Sequence, residues 1–121
     1  MAAPGGLTTH VLDTARGAPA AGVRIELFRL DTDGRAVPLR STVTNADGRT
    51  DLPLLSAPEV EPGRYELRFH LGAYFHAAGA ALSEPPFLDV VPVRFAIADA
   101  GGRYHVPLLA SPWSYTTYRG S

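Results

Sequence analysis

The stretch Arg64-Tyr-Glu-Leu-Arg-Phe-His-Leu71 decides the fold class of this chain. Its apolar side chains recur at every second position, and Glu66, Arg68 and His70 occupy the positions between them. Successive side chains of a β-strand point to opposite faces of the sheet, so a period of two predicts a strand with one buried face.

Further segments of the same kind follow one another along the chain, separated by turn signals such as Asp33-Gly34 and Asn45-Ala-Asp-Gly48. The predicted strands cover residues 22–30, 37–44, 49–54, 64–71, 88–98 and 104–109, with a last strand after Pro112. The alanine-rich segment 72–81 is the only predicted helix. About eight strands, one short helix and no alternation of strand with helix predict an all-β, antiparallel sandwich.

Length and composition fit a single domain over residues 1–121. A chain of 121 residues with 45% hydrophobic content buries one core of ordinary size, and a second domain would be too small to be stable. The net charge of −1 argues against a nucleic-acid partner and against an anionic membrane. The opening residues lack the basic and apolar regions of a secretory signal, so we expect a cytoplasmic protein.

The absence of cysteine and lysine limits the chemistry available to this chain. It excludes thiolate nucleophiles, disulfides and lysine imines. No Gly-x-Ser-x-Gly elbow, His-Glu-x-x-His helix or glycine-rich phosphate loop occurs. Any catalysis must come from histidines, arginines and hydroxyl groups.

Two of the four histidines, His10 and His105, lie on the non-core side of predicted strands, and both have apolar neighbours. A second, partly buried surface such as a subunit interface would explain that context. A solvated strand histidine is the alternative for each. We expect His70 and His76 at the surface.

The last residues, Tyr118 to Ser121, follow a predicted buried strand and a turn. Chain ends usually fray, and an arginine with an aromatic residue there suggests an end that is held in place. We therefore expect the tail to be fixed as a last strand.

Four pieces of sequence together resemble one family. In chain order they are Leu7-Thr-Thr-His-Val-Leu-Asp13, Thr44-Asn-Ala-Asp-Gly-Arg49, Tyr104-His-Val-Pro-Leu-Leu109 and Ser114-Tyr-Thr-Thr-Tyr-Arg-Gly-Ser121. The chain resembles the 5-hydroxyisourate hydrolases, the transthyretin-related enzymes of urate catabolism. In this family the tail separates the enzymes from transthyretin, the hormone carrier of the same fold. The resemblance implies a transthyretin-like sandwich of two four-stranded sheets and a homotetramer with active sites in a channel where dimers meet.

The reaction that the resemblance implies is hydrolysis of the ring amide of 5-hydroxyisourate to 2-oxo-4-hydroxy-4-carboxy-5-ureidoimidazoline. Such a step needs an activated water and a donor for the charge that develops on the carbonyl oxygen. We expect His10 or His105 to be the general base. Arg49 would bind the substrate and stabilise the oxyanion, although an exposed hairpin arginine is the alternative for it.

The tail completes the expected site. Tyr118, Arg119 and Gly120 would form a wall that binds the substrate together with His10 and Arg49, and the Ser121 hydroxyl would pass on a proton. Thr8, Asp51 or Thr117 would orient the histidines. We expect neither a cofactor nor a metal.

Three other functions stay open at this point. A transthyretin-like carrier would bind a small ligand without turnover, and a structural sandwich module would have linkers at its ends. A zinc hydrolase would need a third ligand beside the two histidines, which Asp13 or Asp51 could supply.

Overall fold

The computed structural model describes residues 5–121; the first four residues of the domain predicted over 1–121 lie outside this range. Nine strands and one α-helix occur in the described part of the chain. In chain order they are β1 (Gly6–Asp13), β2 (Ala18–Pro19), β3 (Arg24–Leu30), β4 (Ala36–Val43), β5 (Leu55–Ser56), β6 (Gly63–His70), α1 (Leu71–Ala77), β7 (Val90–Ile97), β8 (Arg103–Ala110) and β9 (Tyr115–Thr117). Among residues 5–121, no helix has the length and apolar character that crossing a bilayer requires.

The strands form two sheets, which confirms the predicted all-β sandwich with one short helix. The first sheet has the order β2-β1-β8-β9, with β5 also paired to β1, and the second has the order β4-β3-β6-β7. One pair departs from the antiparallel prediction, because β1 and β8 run parallel along their whole length. Parallel strands need a long connection between them, and here the entire second sheet lies between β1 and β8 in the chain.

The core lies between the two sheets and follows the alternation read from the sequence. In the strand that defined the fold class, Tyr65, Leu67 and Phe69 are at most 1% exposed. From the first sheet, Leu7, Val11 and Leu108 meet them with no exposed surface. Burial of such side chains contributes roughly 1.5–3 kcal/mol each, so the core fixes which face of every strand is left for other roles.

The predicted return strand over residues 49–54 is wrong. The Asn45 side chain closes a turn there, because its Oδ1 accepts hydrogen bonds from the backbone N–H groups of Asp47 and Arg49. The backbone then joins β1 instead of β4, since the N–H of Val11 donates to the Gly48 carbonyl at 2.8 Å. As a result β4 stays an edge strand, and the strand that follows this turn is the short β5, paired to β1.

The outer face of the second sheet is less exposed than predicted. Glu66 is only 4% exposed, between the guanidinium groups of Arg68 and Arg94. His70 is not a free surface side chain either, because its Nε2 lies 2.7 Å from Glu26 Oε1. His76 is exposed, as predicted. Glu26 and His70 become neighbours only when β3 pairs with β6, and the sequence alone does not reveal that pairing.

Candidate active site

His10 and His105 lie on the same outer face of the first sheet, on neighbouring strands. The parallel register pairs Thr8 with His105 and His10 with Pro107. Their neighbours in sequence point into the core, and both histidines are half-buried, as the alternation predicted. His105 Nδ1 shares a hydrogen bond of 2.8 Å with Thr8 Oγ1, which fixes the ring against β1. Of the three orienting residues considered, Thr8 is therefore the one that contacts a histidine.

The other two orienting candidates have different partners. Asp51 accepts a hydrogen bond from Asn45 Nδ2 at 3.1 Å. The Thr117 hydroxyl donates to the Pro107 carbonyl at 2.8 Å and so holds β9 against β8. Neither side chain is hydrogen-bonded to a histidine ring in the described part of the chain.

His10 is joined to the turn that carries Arg49. Its Nε2 lies 2.9 Å from the Asp47 carbonyl oxygen. A carbonyl only accepts hydrogen bonds, so Nε2 carries the proton and, in the neutral ring, Nδ1 keeps the lone pair. The position of the ring and the position of the turn thus depend on each other.

Gly48 allows this turn to lie directly on β1. Its φ of +76° is in the left-handed region that favours glycine, and a Cβ there would collide with the Val11 carbonyl oxygen and lie 3.3 Å from His10 Cδ2. The next residue, Arg49, is exposed, and its guanidinium has no hydrogen bond or ion pair with residues 5–121. The turn therefore presents an unpaired cation beside the histidine pair.

The tail is fixed, as predicted, but in two steps. Strand β9 pairs with β8, and after a break the Gly120 N–H donates to the His105 carbonyl at 2.8 Å. A Cβ on Gly120 would lie 2.7 Å from His105 Cδ2, so the backbone passes against the edge of the imidazole that carries Nε2. Ser121 follows and lies at the cleft described next.

A cleft of about 450 Å³ joins these elements on the outer face of the first sheet. Its lining residues are Gly5, Gly6, Thr8, Arg49, Pro53, Arg103, Tyr104, His105 and Ser121. Arg103 was not among the predicted site residues, although it precedes His105 by two positions and the period of two places it on the same face. The cleft therefore holds two arginines, Arg49 and Arg103, of which only Arg49 was predicted for the site.

Two predicted site residues lie elsewhere. The Tyr118 side chain is 57% exposed, and the Arg119 guanidinium lies over the Tyr104 ring at 4.0 Å from its centroid. Both border a second hollow of about 220 Å³ between β7 and β9. The structure thus brings Arg49, His105 and Ser121 to one cleft with His10 beside it, and separates the side chains of Tyr118 and Arg119 from that cleft.

The electrostatics of the cleft keep His105 uncharged. Burial lowers the pKa of His105, the positive charge of Arg49 lowers it further, and a proton on the neighbouring His10 ring would act in the same direction. A neutral imidazole at neutral pH can accept a proton. The cleft therefore combines a proton acceptor with guanidinium donors, which is the chemistry that hydrolysis of an amide requires.

The geometry does not support the third zinc ligand considered above. Asp13 lies on the core side of β1, opposite His10, where it is 1% exposed and accepts a hydrogen bond from the Tyr74 hydroxyl at 2.7 Å. Within residues 5–121, no three histidine or carboxylate side chains are grouped closely enough to hold a metal ion.

Comparison with known proteins gives the family of this chain. The model of the HIUase/Transthyretin family matches residues 7–120. The chain belongs to this family. The curated "5-hydroxyisourate hydrolase" of Deinococcus radiodurans is 59% identical over 116 residues, which cover 96% of this chain and 96% of that protein.

Solved structures of the HIUase/Transthyretin family share the fold. The 5-hydroxyisourate hydrolase of Klebsiella pneumoniae superposes with a TM-score of 0.78 at 35% identity, covering 97% of this chain and 99% of that one. Transthyretin from Sparus aurata superposes with a TM-score of 0.83 at 30% identity, covering 94% and 95%. The predicted transthyretin-like fold is confirmed, and fold similarity alone does not distinguish the hydrolase from the carrier.

Proposed function

We propose that this protein is a hydrolase that opens the ring amide of 5-hydroxyisourate to give 2-oxo-4-hydroxy-4-carboxy-5-ureidoimidazoline. The observation that carries the proposal is the meeting of a half-buried histidine of lowered pKa with an unpaired arginine at one cleft. The curated relative from Deinococcus radiodurans, named for this activity, adds support.

His105 is the general base in this proposal. This role requires the tautomer of His105 in which Nδ1–H donates to Thr8 Oγ1, 2.8 Å away, so that Nε2 keeps its lone pair and takes a proton from water. The hydroxide oxygen bonds to the amide carbonyl carbon, and Arg49 stabilises the resulting oxyanion. The carbon–nitrogen bond then breaks, and the leaving ring nitrogen takes the proton from His105, directly or through the Ser121 hydroxyl.

His10 has a binding role beside the base. Its Nε2–H is engaged by the Asp47 carbonyl, so Nδ1 is the nitrogen that can accept a hydrogen bond from a substrate N–H. Its link to the turn also sets the position of Arg49. The end of the tail, Gly120 and Ser121, forms the wall of the substrate site next to His105, because the Tyr118 and Arg119 side chains lie outside the cleft.

A homotetramer with active sites at the dimer–dimer interface belongs to the same proposal. The histidines lie on the outer face of a sheet, and the cleft lined by His105 and Ser121 is partly open to solvent. A second subunit across this face would exclude water from the reacting groups. We expect a solution mass near four times 12.9 kDa, and a stable monomer at working concentration would contradict the shared site. A cytoplasmic location stays a prediction.

The decay of freshly prepared 5-hydroxyisourate, followed by its ultraviolet absorbance against an uncatalysed control, tests the activity. Replacing Arg49 with Met should lower the rate by about a hundredfold, the usual scale for loss of an oxyanion donor. Arg64→Met is the matched control, because Arg64 is an exposed arginine on β6 of the other sheet, and it should keep the full rate. Saturable binding of the substrate without any turnover would favour the carrier and overturn the proposal.

A further inference from the structure

Arg119 is the one charged residue of the tail, and its guanidinium already has two contacts within the protein. The guanidinium carbon lies over the Tyr104 ring, 4.0 Å from the centroid. One of its nitrogens, Nη2, also donates to the backbone carbonyl of Arg103 at 3.0 Å. A guanidinium over an aromatic face is attracted by the negative charge of that face.

The Tyr104 ring is a fixed platform for this contact. It is only 6% exposed, and its hydroxyl oxygen accepts hydrogen bonds from the backbone N–H groups of Ala98 and Asp99, each at 3.1 Å. The ring is thus held by the core at one end and by the β7–β8 turn at the other. A side chain that stacks on it takes up one defined position.

Arg119 and Gly120 hold strand β8 from two sides. Tyr104 points toward the core side of β8, and its neighbour His105 points toward the cleft. Arg119 contacts the first of these residues, while the Gly120 N–H donates to the carbonyl of the second and the backbone passes the edge of its ring. The two attachments together determine where Ser121 lies.

We propose that Arg119 is a positioning residue, which fixes the tail against β8 through Tyr104 and thereby sets Gly120 and Ser121 against His105, and that it does not bind the substrate. The proposal deepens the function proposed above and rests on it for the kinetic consequences. The sequence resemblance had placed Arg119 among the substrate-binding residues, and the contacts point to a different role. A substrate contact would require the guanidinium to leave both the ring and the carbonyl.

The first test measures the tail and needs no substrate. In the full chain, hydrogen exchange of the Gly120 amide reports how often the tail leaves His105, because this amide donates to the His105 carbonyl. Arg119→Met keeps an unbranched stem and removes the guanidinium, and it should speed exchange at Gly120 by about tenfold, the combined scale of one cation–π contact and one hydrogen bond. Arg64→Met is again the matched control and should leave exchange at Gly120 unchanged.

A second variant separates the ring of Tyr104 from its hydroxyl. Tyr104→Phe keeps the stacking surface and loses the bonds to the β7–β8 turn. It should leave the exchange rate of Gly120 within about twofold of wild type while lowering global stability. Tail exchange that rises as much in Tyr104→Phe as in Arg119→Met would contradict the stacking contact.

Kinetics then distinguish positioning from substrate binding. A positioning role predicts that Arg119→Met lowers kcat by about tenfold with little change in KM, because the substrate still binds but meets a misplaced tail. A raised KM with unchanged kcat and unchanged Gly120 exchange would overturn the proposal in favour of a direct substrate contact. If the wild-type protein shows no hydrolase activity, the proposed function fails, and the exchange experiment still decides whether Arg119 holds the tail.

Discussion

Replacing Gly48 with Ala should uncouple the turn that carries Arg49 from strand β1. Gly48 has a φ of +76°, and a Cβ at this position would collide with the Val11 carbonyl oxygen, which is backbone and cannot move aside cheaply. It would also lie 3.3 Å from His10 Cδ2. The turn can accommodate the methyl group only by moving away from β1.

The expected cost has two parts. An alanine in the left-handed region costs about 1–2 kcal/mol relative to glycine. Moving the turn also weakens the hydrogen bond from the Val11 N–H to the Gly48 carbonyl at 2.8 Å and that from His10 to the Asp47 carbonyl at 2.9 Å. At about 1 kcal/mol for each bond, the sum for Gly48→Ala is about 3–4 kcal/mol.

Gly34 provides a matched control. Its φ of +81° carries the same backbone cost, and a Cβ there would meet nothing within 4 Å. Gly34→Ala should therefore destabilise the fold by only about 1–2 kcal/mol and leave the rate unchanged. The difference between the two variants isolates the close approach of the turn to β1.

Urea unfolding followed by far-ultraviolet circular dichroism, at one fixed protein concentration, measures both costs. The rate of 5-hydroxyisourate decay per folded protein measures the effect on Arg49, and we expect a loss of about a hundredfold for Gly48→Ala, because a displacement of about 1 Å at a reacting site has that effect. Equal destabilisation by the two substitutions, or full activity in folded Gly48→Ala, would refute the coupling between the turn and β1.

Three further predictions follow from single contacts. Gly120→Ala should reduce the rate by about tenfold with a stability change under about 1 kcal/mol, because the new Cβ at position 120 would lie 2.7 Å from His105 Cδ2. Gly101→Ala is the control, since the nearest atom to a Cβ on Gly101 is 3.6 Å away. The lowered pKa of His105 predicts an acid limb of kcat/KM centred below about 6.5, the ordinary histidine value, and an acid limb centred above about 6.5 would contradict the role of His105. The same shift predicts that folding stability falls as the pH drops below about 6.5, because the unfolded chain then binds more protons than the folded one. Tyr74→Phe should lower the free energy of unfolding by about 1–3 kcal/mol, because it leaves one oxygen of the buried Asp13 carboxylate without its donor at 2.7 Å, and the rate per folded protein should stay at the wild-type value.

The sequence by itself determined the features that follow from the geometry of a single strand or turn. Side chains of a strand alternate between faces whatever the neighbouring strand is, so the buried row from Tyr65 to Phe69 and the outward positions of His10 and His105 could be predicted from spacing alone. The Asn45 turn was also predictable, because its hydrogen bonds are local. The family resemblance supplied the fold, which the structure and the comparisons confirm.

What only the tertiary structure decided depends on contacts between segments far apart in the chain. From the sequence, the segment after Asn45 could pair with β4 or with β1. In the structure it lies on β1, where the Val11 N–H donates to the Gly48 carbonyl. The lowered pKa of His105 needs the burial and the charges that the assembled sheet brings to it. The Arg119 side chain was expected at the substrate site and instead lies over the Tyr104 ring, which is fixed, buried and electron-rich. Each of these features depends on which distant segment lies next to a residue, and spacing along one strand contains no information about that neighbour.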